Sequence, residues 1–327
     1  MISHAIKVRK QEAQKVKEEL IKKGLLVPNL KARRDDKFVY FPVFEKSEYG
    51  EFIEKMEFEE KEKSYIEMAR EEGIEIDSIS IDFIGGIAII RLPSHLIQKK
   101  EKIAEIILKA NKNVRTVCLD MGVKDEFRIR KLEIIAGEPK TETVHKEYGV
   151  RMMLDVARVY FSPRLATERM RVARMIGNEA IVIDMFAGVA PFSLLIAKYS
   201  KAKKIYAIDK NPYAVKYARK NVKLNKMEEK IEVIEGDALE VIKRLPHANH
   251  IIMNLPHKSF EFLPHAIEKG DIIHYYEIME RGKEEKRIEE IKKVCKEKGC
   301  KVAIKNFHVV GSYSPAKIKV GMDLFIG

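Results

Sequence analysis

Residues 181–193 read IVIDMFAGVAPFS, and that run decides the fold. Val182-Ile183 is a short apolar strand, Asp184 its terminal acid, Ala187-Gly188 a small-residue turn, and Pro191 the opening of a helix running to Tyr199. The pattern then recurs along the chain. KIYAIDKNP (204–212) leads into YAVKYARKNVKLN, IEVIEGD (231–237) into ALEVIKRL, HIIMNLP (250–256) into a helix from Phe260, and DIIHYYEI (271–278) into RIEEIKKVCKEKG. Short apolar strands alternating with helices of this length specify a parallel, doubly wound α/β sheet of Rossmann-like type. In such a sheet a ligand lies outside the carboxyl ends of the strands, where these turns converge.

The strand ends carry chemistry. The D-x-F-A-G turn departs from G-x-G-x-x-G, and Ala190-Pro191 stands where glycines would let a pyrophosphate approach, so NAD is disfavoured. S-adenosylmethionine, which has no pyrophosphate, needs less room there. Asp184, Phe186 and Gly188 line this first turn; Asp209 is placed to accept from two ribose hydroxyls, with Asn211 beside it; Asp237 is placed to accept from an adenine amine, and Asn254 at the fourth strand end completes the expected cofactor set. Each acid alone reads as a cap or a surface charge, but four strand ends in this order point to the class I S-adenosylmethionine-dependent methyltransferase fold. At the fourth end, Asn254-Leu255-Pro256-His257 has Leu255 and His257 where the first proline and the aromatic of an (Asp/Asn)-Pro-Pro-(Tyr/Phe) turn accompany methylation of an exocyclic amine. No cysteine lies near enough in sequence to attack a pyrimidine. A ring nitrogen is the expected acceptor.

The chain has 327 residues, 46% hydrophobic and 34% charged, which excludes collagen-like and disordered classes and allows more than one domain. It contains no apolar run of bilayer length and no signal-peptide pattern at its start, so a cytoplasmic, membrane-free protein is expected. A net charge of +12 suits a polyanion such as nucleic acid, although a Lys/Glu-rich surface of thermophile type reads the same way. Cys118, Cys295 and Cys300 form neither a disulfide framework nor a metal set, with a Cys295–Cys300 pair left open; no metal is expected. His145, His257 and His274 are scattered and carry no assigned role.

Upstream, the text divides differently. A helix is expected over Val8–Lys23, stopped by Gly24, then a strand over Phe38–Val43. A charged stretch turns into a helix near residue 65. A strand pair over Ile79–Leu92 bends at Gly85-Gly86, and a helix (Ile97–Asn111) and the strand VRTVCLDM follow. The expected domains are a small module at 1–58, an α+β module at 59–149 and the Rossmann-like domain at 150–327.

The run GVKDEFRIRKLEIIAG, the block VYFSPRLATER, the motif VIDMFAGVAPFS, and YAIDKNP followed by IMNLP together resemble the archaeal and eukaryal tRNA (guanine37-N1)-methyltransferases, nearest to archaeal members that keep N-L-P. The resemblance covers essentially the whole chain. It implies methyl transfer from S-adenosylmethionine to N1 of guanosine 37, with Glu168 as general base and Arg128 neutralising charge on O6. It further implies that Tyr160 stacks on a flipped guanine whose edge Asn254 and Pro256 hold. Read without the resemblance, Glu168 simply pairs along its helix with Arg164 or Arg171. Arg164 and Arg169 are expected at RNA phosphates, and Lys31, Arg33 and Arg34 in the first module at the tRNA. Ala190, where the family usually has glycine, is expected to crowd the cofactor's methionine end. The enzyme is expected to be a monomer acting on tRNA with guanosine 37. The rival readings are a wyosine-pathway aminocarboxypropyl transferase of the same fold and a noncatalytic RNA-binding relict.

Overall fold

The computed structural model describes residues 1–124 and 128–327, so the Asp125-Glu126-Phe127 part of the upstream motif lies outside the described residues. The chain falls into two compact units, Met1–Ser78 and Ile79–Gly327.

The first unit contains β1 (Ile2–Arg9), α1 (Ala13–Lys22), β2 (Arg33–Arg34), β3 (Phe38–Val43), β4 (Glu51–Glu57) and α2 (Tyr65–Glu71). Its antiparallel sheet has the order β2-β3-β1-β4. The helix expected from Val8 starts later, at Ala13, because Val8 closes β1. Ile6 and Val8 point inward and Lys7 and Arg9 outward, the period of two that defines a half-buried strand. Val16 and Leu20 of α1 cover Ile6, Val8, Val39, Phe41 and Val43. α2 begins with a capping box in which Ser64 and Glu67 satisfy each other's backbone N–H.

The second unit opens with β5 (Ser80–Ile84) and β6 (Ile87–Arg91), a hairpin turning at Gly85-Gly86 as expected. Next come α3 (Lys100–Ala110), β7 (Thr116–Lys124) and β8 (Ile129–Gly137), closing a sheet of order β5-β6-β7-β8, and then the hairpin β9 (Glu142–Glu147) and β10 (Val150–Asp155). The remainder is α4 (Ala166–Met175), β11 (Ile181–Asp184), α5 (Pro191–Tyr199), β12 (Lys204–Asp209), α6 (Pro212–Leu224), β13 (Ile231–Glu235), α7 (Ala238–Arg244), β14 (Ala248–Met253), α8 (Ser259–Ile267), β15 (Gly270–Glu280), α9 (Glu284–Glu297), β16 (Val302–Ser312) and β17 (Lys317–Ile326). Among the described residues the last of these form a seven-stranded sheet, β13-β12-β11-β14-β15-β17-β16.

Its first five strands are parallel, as the alternating pattern requires, and β17 and β16 join antiparallel. These two strands lie beyond the strand–helix repeat and go unread in it. Successive residues of β11 enter opposite cores, Val182 one and Ile183 the other, so helices cover both faces. Because β11 is flanked by β12 and β14, strand order reverses at its carboxyl end, and a crevice opens there. All three cysteines are free thiols; Cys300 Sγ donates to the Cys295 carbonyl instead of bridging.

Candidate active site

A cavity of about 670 Å³ lies wholly within the second unit, over the carboxyl ends of β11–β14. One wall is built from the strand-end turns. Asp209 sits at its centre. The Gly188 N–H donates to Asp209 Oδ2 at 2.6 Å and the Asn211 N–H to Oδ1 at 2.9 Å, fixing the carboxylate plane between two turns. Burial raises its pKa, and those backbone donors oppose the rise. Asn211 caps α6 by accepting from the Tyr213 N–H and donates to the Arg158 carbonyl. Asp237 caps α7 through the Leu239 N–H and still faces the cavity. Phe186 lines it too, braced edge-on by Phe262 with ring centroids 4.9 Å apart.

Asp184 differs from the expectation. It is fully buried and does not line the cavity; Oδ2 accepts from Ser193 Oγ at 2.8 Å, which ties the start of α5 to the end of β11. Burial lifts its pKa to about 7 despite that bond. It supports the wall from beneath. Ala190 is also buried and away from the lining, with φ 68° in the left-handed region. A residue other than glycine is therefore held in a strained backbone region.

The facing wall draws on distant parts of the chain. Arg128, itself left-handed at φ 55°, lies over the Tyr160 ring at 5.7 Å, and both line the cavity with Asn254 and Pro256. Asp82 clamps two arginines: Arg164 Nε donates to Oδ1 at 2.7 Å and Arg130 to Oδ2 at 2.8 Å. Arg164 remains largely exposed at the rim. Arg169 does not fit the phosphate contact expected of it. Its guanidinium is buried and bonded to Glu147 at 2.8 and 2.5 Å and to the Ser162 carbonyl, so it holds α4 against β9.

Glu168 is buried and is not among the cavity-lining residues. Its carboxylate accepts from Arg171 at 2.7 Å, as the helix-pair reading anticipated, and also from Tyr276 Oη at 2.7 Å, with His308 Nε2 at 3.0 Å. Burial alone would raise its pKa; Arg171, Tyr276 and His308 outweigh burial and lower it, so the group is ionised. Arg171 is held in turn by Asp323, which also accepts from His274. His145 Nδ1 accepts from the Gly85 N–H at 3.2 Å, and His257 packs edge-on to Tyr313.

Sequence reading missed Lys319, Asp82, Asp323 and His308. None stands in a motif; only the alternation within the flanking strands could have placed Lys319 and Asp82. Lys31, Arg33 and Arg34 are exposed in the first unit, with Lys31 near Glu59 and Arg33 donating to the Glu57 carbonyl.

Residues 143–303 match the TRM5/TYW2 methyltransferase domain, residues 75–141 the TYW2 N-terminal domain and residues 5–51 the tRNA methyltransferase 5 N-terminal domain. The tRNA (guanine(37)-N(1))-methyltransferase Trm5b of Pyrococcus abyssi is 40% identical, over 98% of both chains. The crystal structure of that protein superposes with a TM-score of 0.74 over 99% of both chains. A complex of aTrm5 with tRNALeu matches at 32% identity and TM-score 0.71, again over 99% of both. The tRNA(Phe) (4-demethylwyosine(37)-C(7)) aminocarboxypropyltransferase of Methanocaldococcus jannaschii is 34% identical over 73% of this chain and 97% of its own. Identity of 40% over 98% of both chains, the three domain matches and the structural superposition lead to one conclusion: the chain belongs to the Trm5 family of tRNA (guanine(37)-N(1))-methyltransferases.

Proposed function

We propose that this protein transfers a methyl group from S-adenosylmethionine to N1 of guanosine 37 in tRNA, as a cytoplasmic monomer. The observation that carries the reading is one cavity with two unlike walls, a carboxylate-bearing strand-end wall and a wall bearing Arg128, Tyr160 and Asn254. The first wall fits the cofactor. Asp209 is anchored by backbone donors, with acceptor capacity for ribose hydroxyls, and Asp237 keeps one oxygen free of its cap for an adenine amine; Phe186, Gly188 and Asn211 complete the contact. The cofactor supplies a methyl group on a sulfonium.

The second wall receives the base. Tyr160 and Arg128 form a stacked pair against which a flipped purine can lie. N1 of guanine carries a proton at neutral pH, so attack on the methyl group requires a base. Glu168 is ionised and exchanges one of its present partners for the N1–H; as that bond breaks, negative charge spreads to O6, where the Arg128 guanidinium meets it. The neighbourhood of Glu168 reaches the cavity through Tyr276, whose ring lies beneath Lys319 of the lining. Asn254 and Pro256 hold the purine edge, while Arg164 at the rim and Lys31, Arg33 and Arg34 of the first unit meet RNA. Asp184 acts from behind the wall, while Arg169, at the lining but held by Glu147 and the Ser162 carbonyl, fixes α4 in place.

The test is incubation with labelled S-adenosylmethionine and unmodified tRNA carrying guanosine or adenosine at position 37, followed by nucleoside mass analysis. The expected product is 1-methylguanosine; an aminocarboxypropyl adduct, or no binding of S-adenosylmethionine, overturns the reading. Glu168→Ala and Arg128→Ala are each expected to lower the single-turnover rate by about 10²- to 10⁴-fold. Near wild-type rates in both would remove the roles given to them.

A further inference from the structure

One cation of the cavity has no part in the chemistry above. Lys319, on β17, lies over the Tyr276 ring, with Nζ 5.6 Å from its centroid, and donates to Asn254 Oδ1 at 3.0 Å; both residues line the cavity. An ammonium has donors and no acceptor, so the Asn254 atom facing it is the carboxamide oxygen. While Lys319 carries its proton, that bond removes the usual freedom of a carboxamide to turn over. The group left to meet a ligand is the Nδ2 amine. Holding a lysine in this place is costly: burial pulls its pKa down to about 7, with the Arg169 and Arg128 charges adding to the effect and Glu168 opposing it.

We propose that Lys319 is a specificity-determining positioning residue, which by occupying Asn254 Oδ1 makes the carboxamide present only donors to the purine edge. Guanine carries an acceptor oxygen at its six position, and adenine carries an amine there. A fixed donor pairs with the first and faces a second donor in the other, leaving two buried N–H groups unmatched. Without Lys319 the carboxamide can turn over and present its oxygen, and the two purines become harder to tell apart. The inference rests on the proposed methylation of guanosine 37 and extends it to how the base is chosen.

The test uses the full chain and two transcripts differing only at position 37. The KM for the guanosine transcript is compared with the inhibition constant of the adenosine transcript against guanosine methylation. In Lys319→Met this discrimination is expected to fall about tenfold or more, S-adenosylmethionine affinity by calorimetry to stay at the wild-type value, and Lys319→Arg to restore most of the loss. Asn254→Asp keeps a partner for Lys319 but offers the purine no donor, and its discrimination is expected to fall as well. Unchanged discrimination in Asn254→Asp, or equal weakening of both transcripts in Lys319→Met, overturns the inference while leaving the methylation standing. Failure of the wild-type protein to methylate guanosine 37 overturns both.

Discussion

The two walls of the cavity are made by opposite means. On the strand-end wall the carboxylates are set by backbone of their own turn or the adjacent one, as when the Gly188 and Asn211 N–H groups fix Asp209 and the Leu239 N–H holds Asp237. On the facing wall, side chains hold side chains over long stretches of sequence: Asp82 grips Arg130 and Arg164, and Lys319 grips Asn254. A wall of the first kind comes with its motif. A wall of the second kind exists only after the whole unit has folded, and single side-chain changes take it apart.

The foundation of the strand-end wall gives the largest stability effect. The carboxyl group of Asp184 has its pKa raised by burial from 3.8 to about 7 in the fold, so the folded state binds a proton that the unfolded state releases. Its contribution is therefore fully present below about pH 4 and is lost as pH rises through 7, a change of up to about 4 kcal/mol. Asp184→Asn is expected to flatten the melting temperature of the ligand-free protein across that window. An unaltered pH slope would show that the wall does not stand on this buried acid.

The facing wall is tested at Asp82. Removing its carboxylate leaves Arg130, mostly buried, without its 2.8 Å partner, while Arg164, itself largely exposed, can turn to solvent. Asp82→Ala is expected to lower stability in urea by about 3 kcal/mol, nearly all from Arg130. A loss below about 0.5 kcal/mol would mean that solvent and Asp120 replace it, as at an ordinary surface pair.

The smallest effect sharpens the contrast in the other direction. Ala190→Gly removes the left-handed strain at the start of α5 and is expected to stabilise the protein by about 1 kcal/mol, with S-adenosylmethionine affinity unchanged. A clear gain in affinity instead would show the crowding that the sequence suggested.

How much was legible follows the same division. The parallel sheet, the order of its motifs and the placing of Phe186, Gly188, Asp209, Asn211 and Asp237 on one cavity could be read because strand, turn and helix cap are local patterns. The meeting of Arg128 with Tyr160 and Asn254 came through family likeness, since no spacing rule brings residues so far apart in sequence together. What escaped was tertiary. Nothing in the text around Arg169 says that Glu147 will claim it, and Asp184 looks like any strand-end acid until Ser193 folds over it. β16 and β17 follow no strand–helix repeat, so Lys319 and His308 went unread. At the other end, Val8 belongs to β1 although its spacing also suits a helix, because lysine and arginine between apolar residues fit either period over so short a run.

The cavity takes its lining from positions as far apart as Ser80 and Lys319. Whatever binds there is a staple across almost the whole of the second unit, and its free energy of association adds to the resistance of that entire unit against unravelling. The first unit, from Met1 to Ser78, gains nothing directly from a small occupant confined to that lining, as S-adenosylmethionine would be. Occupancy thus separates the thermal fates of two pieces of one polypeptide.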